Sequence, residues 1–394
     1  MKKTFVFPGQ GSQKKGMGEN LFDEFPALTK KADKILGYSI KELCLEDPNR
    51  QLNKTQYTQP ALYVVNALSY EKKIKDGEKK PDFLAGHSLG EYNALQAAGV
   101  FSFESGLRLV KKRGELMSKA KNGGMAAILN SSEAQIREIL EEAKLAIDIA
   151  NLNAPSQIVI SGLSEDIAKA QSYFEKAKTM FIPLNTSGAF HSRYMKEAAA
   201  EFEKLVKKTR FVRPKIKVIA NVTGKAYEFK NTAQHLTDQL SNSVRWSESI
   251  TYLLDQGEME FEELGVGNVL TKLIGYIKRD HAKDKSTQSE EKIASTLEKD
   301  IDTKSDSSKA VTKSSKEVSS ETKTGKEKKQ TDPAKLIEQW NQVYPVGTKV
   351  ISDFYDTELE TRTEAVMLFG HRAAVYMKDY NGYFDLREVK PVQQ

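Results

Sequence analysis

The sequence predicts an α/β enzyme followed by a small, separate β-rich module, and three observations carry that prediction. Strand-like apolar runs alternate with runs of helix formers as far as about Asp280. A serine flanked by glycines joins one such strand to one such helix. Beyond about Asp280 a tract without aromatic residues separates the first part from a short second one, so a chain of 394 residues is expected to hold more than one domain.

The elements justify this in order. The apolar run Phe5-Val6-Phe7 ends at Pro8, too short for a secretory signal core. Gln59 to Leu68 reads as a helix with Pro60 near its start, where a missing N–H costs nothing. Phe83-Leu84-Ala85 reads as a strand, Gly86-His87-Ser88-Leu89-Gly90 as a sharp turn, and Glu91 to Ala98 as a helix. That order is a nucleophile elbow, and it predicts an α/β-hydrolase-like large subdomain. Six further segments follow: Met125 to Leu129 (strand), Ser132 to Ala143 (helix), Ile147 to Ala150 and Gln157 to Ile160 (strands), Glu165 to Ala177 (helix) and Thr179 to Leu184 (strand). Their β-α-β-β-α-β order is ferredoxin-like, so a small subdomain is expected as an insertion at about residues 123–186, forming a cleft against the large one.

A serine hydroxyl is a poor nucleophile until a base, most often histidine, lies within hydrogen-bond reach. The chain has five histidines. The side chain of His87 should diverge from that of Ser88, its neighbour in the turn. His281 and His371 lie at or beyond the edge of the polar tract, and His235 is expected on an exposed helix start. His191 follows a glycine-containing loop and precedes a helix, a common place for functional groups, and is the best candidate base.

Seven ordered blocks between Lys2 and Arg279 resemble malonyl-CoA:acyl carrier protein transacylases. They are Phe7-Pro8-Gly9-Gln10-Gly11-Ser12-Gln13, Gly86-His87-Ser88-Leu89-Gly90-Glu91-Tyr92, Lys112-Arg113-Gly114, Asn151 with Asn153-Ala154-Pro155, Gln157 to Gly162, Gly188-Ala189-Phe190-His191-Ser192, and Glu263 to Leu270. One departure is Val266, where the family usually has proline.

The resemblance implies ping-pong transfer of malonyl from malonyl-CoA to the phosphopantetheine thiol of acyl carrier protein, through a malonyl-serine at Ser88 with His191 as general base. It implies that a backbone carbonyl at Gln239 orients the histidine, and that backbone N–H groups at Gln10 and Leu89 stabilise the oxyanion. It makes Arg113 the partner of the malonyl carboxylate, which suits the planar fork of arginine. Phe190 resembles the bulky residue of malonyl-selective members, although exclusion of one methyl group is worth only about 1–3 kcal/mol. No metal or resident cofactor is expected. Malonyl-CoA is a substrate, and the partner protein carries the phosphopantetheine.

A formal net charge of +6 is modest, and no nucleic-acid partner is expected. The cluster Lys207-Lys208-Thr209-Arg210 with Arg213, Lys215 and Lys217 would either steer an acidic carrier protein or be a solvated face. A lone Cys44 fits a reducing compartment. No run is long enough for a membrane span, so a cytoplasmic, monomeric catalytic unit is expected.

The expected domains are a catalytic region (residues 1–282), a disordered mixed-charge linker (283–332) and a β-rich, SH3-like module (333–394). In that module Ile337 to Trp340 reads as a helix. Thr348 to Ile351, Thr363 to Phe369, Ala373 to Met377 and Tyr383 to Leu386 read as strands, with turns at Tyr355-Asp356, Gly370-His371 and Asp379 to Gly382. The module would tether the enzyme to a pathway partner or be a tolerated appendage. Transfer in fatty acid synthesis is the leading functional expectation. The alternatives are a trans-acting acyltransferase of polyketide synthesis, with the same chemistry, and a serine esterase or thioesterase, which would need a carboxylate at the histidine.

Overall fold

The computed structural model describes residues 1–186, 188–283, 285, 333–352, 355–368, 372–378, 383–386 and 389–392. It divides into two compact units, Met1–Ser305 and Asp306–Gln394.

In the first unit, the apolar run at the N-terminus forms β1 (Lys2–Phe7). Three short helices follow: α1 (Leu21–Glu24), α2 (Pro26–Leu36) and α3 (Ile40–Leu45). The long helix α4 (Thr55–Lys75) is buried nearly all round from Thr58 to Leu68, as expected of a helix that is apolar on every face. It begins four residues before the predicted Gln59, so Pro60 lies inside it. There the proline forfeits the hydrogen bond to the carbonyl of residue 56.

The strand β2 (Phe83–Gly86) runs into α5 (Gly90–Ala97), and α6 (Phe103–Ser118) packs beside α4. The parallel sheet is completed by β7 (Lys217–Val218) and β8 (Met259–Glu263), in the order β7-β2-β1-β8. Phe5, Val6, Phe7 and Leu84 are fully buried, the mark of strands covered on both faces.

The small subdomain comprises β3 (Gly123–Leu129), α7 (Glu133–Ala143), β4 (Asp148–Ala154), β5 (Gln157–Leu163), α8 (Ser164–Lys176) and β6 (Met180–Leu184). Its antiparallel sheet has the order β4-β5-β3-β6, which is the ferredoxin-like arrangement the segment order predicts. Ser132 and Gln135 form a reciprocal capping box on α7. Ile128, Ile136, Ile160 and Phe174 form a core of its own, while Asn151 bridges to Val244 of the large subdomain.

The large subdomain closes with α9 (Lys196–Val206), α10 (Thr232–Asp238), α11 (Trp246–Leu254) and α12 (269–283). Among the described residues no helix is long and apolar enough to cross a membrane. Of the predicted linker, only residues 283 and 285 are described.

The second unit holds α13 (Pro333–Val343) and six described strands: β9 (Lys349–Ser352), β10 (Tyr355–Glu360), β11 (Val366–Leu368), β12 (Arg372–Tyr376), β13 (Tyr383–Asp385) and β14 (Val389–Pro391). They form two antiparallel three-stranded sheets, β10-β9-β14 and β11-β12-β13, around Trp340, Val350, Val375 and Met377. Tyr355-Asp356, expected as a turn, starts β10, and β14 has no counterpart in the sequence expectation. The Gly370-His371 turn and the turn over residues 379–382 lie outside the described residues.

Candidate active site

Ser88 lies between the end of β2 and the start of α5, with φ at +51°. The flanking glycines make that possible. A Cβ on Gly86 would sit 1.9 Å from the carbonyl carbon of Gly90, and one on Gly90 would sit 2.0 Å from the carbonyl oxygen of Phe7. Asn221 clasps the turn: its Oδ1 accepts from the Ser88 backbone N–H at 2.7 Å, and its Nδ2 donates to the Gly86 carbonyl at 2.7 Å.

His191, also left-handed at φ +57°, brings Nε2 to 2.8 Å from Ser88 Oγ. Its Nδ1 lies 2.7 Å from the backbone carbonyl of Gln239. A carbonyl only accepts, so Nδ1 carries the proton and the Nε2 lone pair faces the serine hydroxyl. Burial, and after it the charge of Arg113, pushes His191 down to about 3, leaving it a neutral base at ordinary pH. No carboxylate hydrogen-bonds to His191 among the described residues. Two acids that lie between serine and histidine in the sequence, Glu165 and Asp166, sit on α8, where Asp166 pairs with Lys169.

Arg113 projects from α6 into the site and is 1% exposed, whereas the adjoining Lys111 reaches out to the carbonyls of Ile35 and Leu36. The Arg113 Nη1 donates to Gln59 Oε1 at 2.8 Å, and Nη2 donates to Ser88 Oγ and to Gln239 Oε1, each at 3.0 Å. The guanidinium carbon lies 5.5 Å from the centre of the Tyr92 ring. Its Nε is buried without a hydrogen-bond partner. No ion pair reaches Arg113 among the described residues, so the site holds a buried cation able to receive an anionic ligand.

Gln10, Gln59, Ser88, Arg113, Phe190 and His191 line a cavity of about 120 Å³, to which the small subdomain adds Met125, Asn151 and Leu184. Among the described residues, no hydrogen bond uses the backbone N–H of Gln10 or Leu89. A larger cavity, about 660 Å³, lies between α2 and α6 and is lined by residues such as Lys34 and Arg108, but holds no serine, cysteine or histidine. Chemistry rather than volume selects the smaller one.

The other histidines are engaged elsewhere. The ring of His87 contacts Asn153 Oδ1 at 2.8 Å and stacks edge-on near Trp246, while His281 pairs with Asp255. His235 is half-buried against Tyr227 rather than exposed, because α10 turns that face inward. His371 lies outside the described residues.

Four parts of the site escape sequence reasoning: Gln59, Asn221, Glu91 and the side chain of Gln239. Glu91 is wholly buried, and burial pushes its carboxyl up to about 7 against the hydrogen bonds that oppose the shift. The block Gly90-Glu91-Tyr92 marked the position, but nothing in the sequence shows where a buried carboxylate finds its donors.

Comparison with known proteins agrees with this geometry. Residues 4–320 match the acyl transferase domain family. The chain is 62% identical over 280 residues, 70% of its own length and 97% of the relative's, to the polyketide biosynthesis malonyl CoA-acyl carrier protein transacylase PksC of Bacillus subtilis. It is 39% identical over 277 residues, 69% of its length and 92% of the relative's, to a malonyl CoA-acyl carrier protein transacylase of Synechocystis sp.. The crystal structure of a malonyl CoA-acyl carrier protein transacylase from Burkholderia pseudomallei matches with a TM-score of 0.69 at 52% identity, covering 71% of this chain and 98% of that one. The chain belongs to the malonyl-CoA:acyl carrier protein transacylase family and is an acyltransferase.

Proposed function

We propose that this acyltransferase carries malonyl from malonyl-CoA to the phosphopantetheine thiol of an acyl carrier protein, by way of a malonyl ester on Ser88. The observation that carries the reading is the dyad itself: a serine 2.8 Å from the imidazole nitrogen that a backbone carbonyl leaves unprotonated.

As Ser88 Oγ attacks the thioester carbonyl, its proton passes to His191 Nε2. The oxyanion would be met by the unused N–H groups of Gln10 and Leu89. Collapse breaks the carbon–sulfur bond, and the CoA sulfur takes the proton from Nε2. In the second half, Nε2 takes the proton of the carrier thiol, the sulfur attacks the ester carbon, and Ser88 Oγ leaves with that proton. No proton is gained or lost over the cycle.

Arg113 would exchange its bond to the serine for a bidentate grip on the malonyl carboxylate, and Phe190 would narrow the space beside it. No metal or resident cofactor enters this scheme. The esterase reading is disfavoured by the lack of a carboxylate on His191 among the described residues.

Polyketide rather than fatty acid assembly is the pathway the similarities favour, because the relative matched at 62% identity carries polyketide biosynthesis in its name. That exchanges the leading and the alternative expectations from sequence. Intact-protein mass after brief mixing with malonyl-CoA, then with holo acyl carrier protein, tests the chemistry. A malonyl adduct that forms and moves to the carrier is the expected result. An adduct that decays to free malonate equally fast with or without carrier would return the protein to the hydrolases. Comparing transfer rates to a polyketide carrier and a fatty acid carrier separates the two pathways.

A further inference from the structure

Behind the dyad lies a second layer of polar groups that converges on one side chain. Glu91, on the first turn of α5, is fully buried and three residues past the nucleophile. Its Oε1 accepts from the backbone N–H of Asn221 at 3.1 Å and from the hydroxyl of Tyr227 at 2.5 Å, and its Oε2 accepts from Gln239 Nε2. All three partners are donors, which suits an ionised carboxylate, and the helix N-terminus beneath it favours the same charge.

Each of those partners, Tyr227 excepted, grips a working residue. Asn221 holds the Ser88 N–H and the Gly86 carbonyl. The Gln239 side chain donates to the Ser88 carbonyl at 2.8 Å and accepts from Arg113 Nη2 at 3.0 Å, while the Gln239 main chain holds His191. One amide therefore lies between a buried cation and a buried carboxylate. Its oxygen faces Arg113 and its nitrogen faces Glu91, so the two charges fix which way it points. Reversing it would aim an NH2 group at a guanidinium and an oxygen at a carboxylate.

We propose that Glu91 is the positioning residue of this site: by fastening Asn221 and Gln239 together, it sets Ser88, His191 and Arg113 in a single reactive arrangement without touching substrate. The proposal rests on the reading of Ser88 as nucleophile and His191 as base. It assigns the carboxylate a task that the elbow's local sequence does not perform, namely tying the loop at 221 and the turn at 239 to the helix that follows the serine.

The test is pre-steady-state acylation of the full chain by malonyl-CoA, read by intact mass, which yields a rate and an amplitude. Glu91→Gln keeps the size of the side chain but offers an NH2 group where only donors wait, so one of the three clasps must open. The expected result is an amplitude near that of the wild type, with a rate at saturating malonyl-CoA reduced about 10- to 100-fold, the scale of a misplaced reacting group. A rate unchanged from wild type overturns the proposal. So does a reduced amplitude in which the surviving fraction reacts at the wild-type rate, because that is loss of folded protein and not loss of position.

Tyr227→Phe removes one donor and leaves every dyad contact in place, and a fall of about 3- to 10-fold in the same rate is expected. In the double variant the tyrosine change should add little to the effect of Glu91→Gln, and fully additive losses would contradict a shared clasp. If Glu91→Gln yields no folded protein, a wild-type rate in Tyr227→Phe alone overturns the proposal. Absence of an adduct in the wild type, or a normal adduct in Ser88→Ala, removes the nucleophile reading and this proposal with it. Normal wild-type acylation with an unimpaired Glu91→Gln removes this proposal only.

Discussion

Ser88 and His191 both sit at left-handed backbone angles, φ +51° and +57°, a conformation that costs a non-glycine residue about 1–2 kcal/mol, yet the two loops are held by different means. The serine turn is locked at several points: Gly86 and Gly90 let the turn cross the backbone at Phe7 at contact distance, and Asn221 binds the Ser88 N–H and the Gly86 carbonyl. The histidine loop has a small local brace, Ser192 Oγ donating to the Ala189 carbonyl at 2.5 Å. The ring itself depends on one carbonyl 48 residues away. Strain at the serine is thus offset at several points, by close packing at two glycines and by a two-point clamp from Asn221, whereas the aim of the imidazole rests on a single distant carbonyl. Variants of the two loops should therefore fail differently.

The largest effect expected is loss of the adduct altogether in Ser88→Ala, with the fold retained because the turn is set by glycines and Asn221 and not by the hydroxyl. A malonyl adduct of normal yield in that variant, seen by intact mass, would remove the serine from the chemistry. Next comes Arg113→Ala. The guanidinium is a buried cation with no ion pair among the described residues, so its loss should depress malonyl-CoA use by about 10- to 150-fold while acetyl-CoA use falls far less, since charge-assisted pairing is worth about 1.5–3 kcal/mol. Equal losses on the two thioesters would show that Arg113 serves the serine only.

A smaller effect separates the support of the serine turn from that of Arg113. Asn221→Ala should slow acylation through the serine turn, whereas Gln239→Ala keeps the carbonyl that holds His191 and gives up the side-chain bonds to Ser88, Glu91, Asn221 and Arg113. A loss of about tenfold is expected for each, on the scale of a reacting group slightly misplaced. The acetyl-to-malonyl ratio should change only in the Gln239 variant. An unchanged ratio in both would mean that Gln239 does not hold Arg113 in place.

The base can be probed by pH. Folding lowers the His191 pKa to about 3 from an ordinary 6.5, so the unfolded chain binds a proton there before the folded one does. The stabilisation it contributes is complete above pH 6.5 and is lost as pH falls from there toward 3. His191→Gln should flatten that part of the urea-midpoint profile. A profile unchanged by the substitution would mean that the histidine is not held neutral.

These contrasts also explain what sequence can and cannot disclose. The serine turn was legible because its glycines and serine lie within five residues, and the small subdomain was legible because its alternation of strand-like and helix-like segments is local. Arg113, Gln239, Gln10 and Leu89 were placed by resemblance, since a buried arginine among Lys111 and Lys112 looks like surface charge until α6 is seen to turn it inward. The site contacts of Asn221, Gln59 and Tyr227 left no trace. Buried polar networks join residues more than 100 positions apart with no repeating pattern. In the second unit, β10 was missed for a related reason. Tyr355-Asp356-Thr357-Glu358-Leu359-Glu360 carries the charges that edge strands tolerate, and β10 and β14 are the edges of their sheet.

The smallest effect expected comes from removing residues 333–394. Among the described residues, the bonds that set the serine turn or aim the histidine join residues between Phe7 and Gln239. The second unit buries Trp340, Val350, Val375 and Met377 in a core of its own. PksC, matched over 97% of its length by 280 residues, leaves no room for a counterpart. Truncation should accordingly keep the rate of Ser88 acylation and of transfer to free carrier within about twofold of the full chain, a change below the scale of a misplaced catalytic group. A collapse of acylation on truncation would mean that the long-range support of the histidine extends beyond residue 239, and the contrast between the two loops would then have to be redrawn with the second unit on the histidine's side.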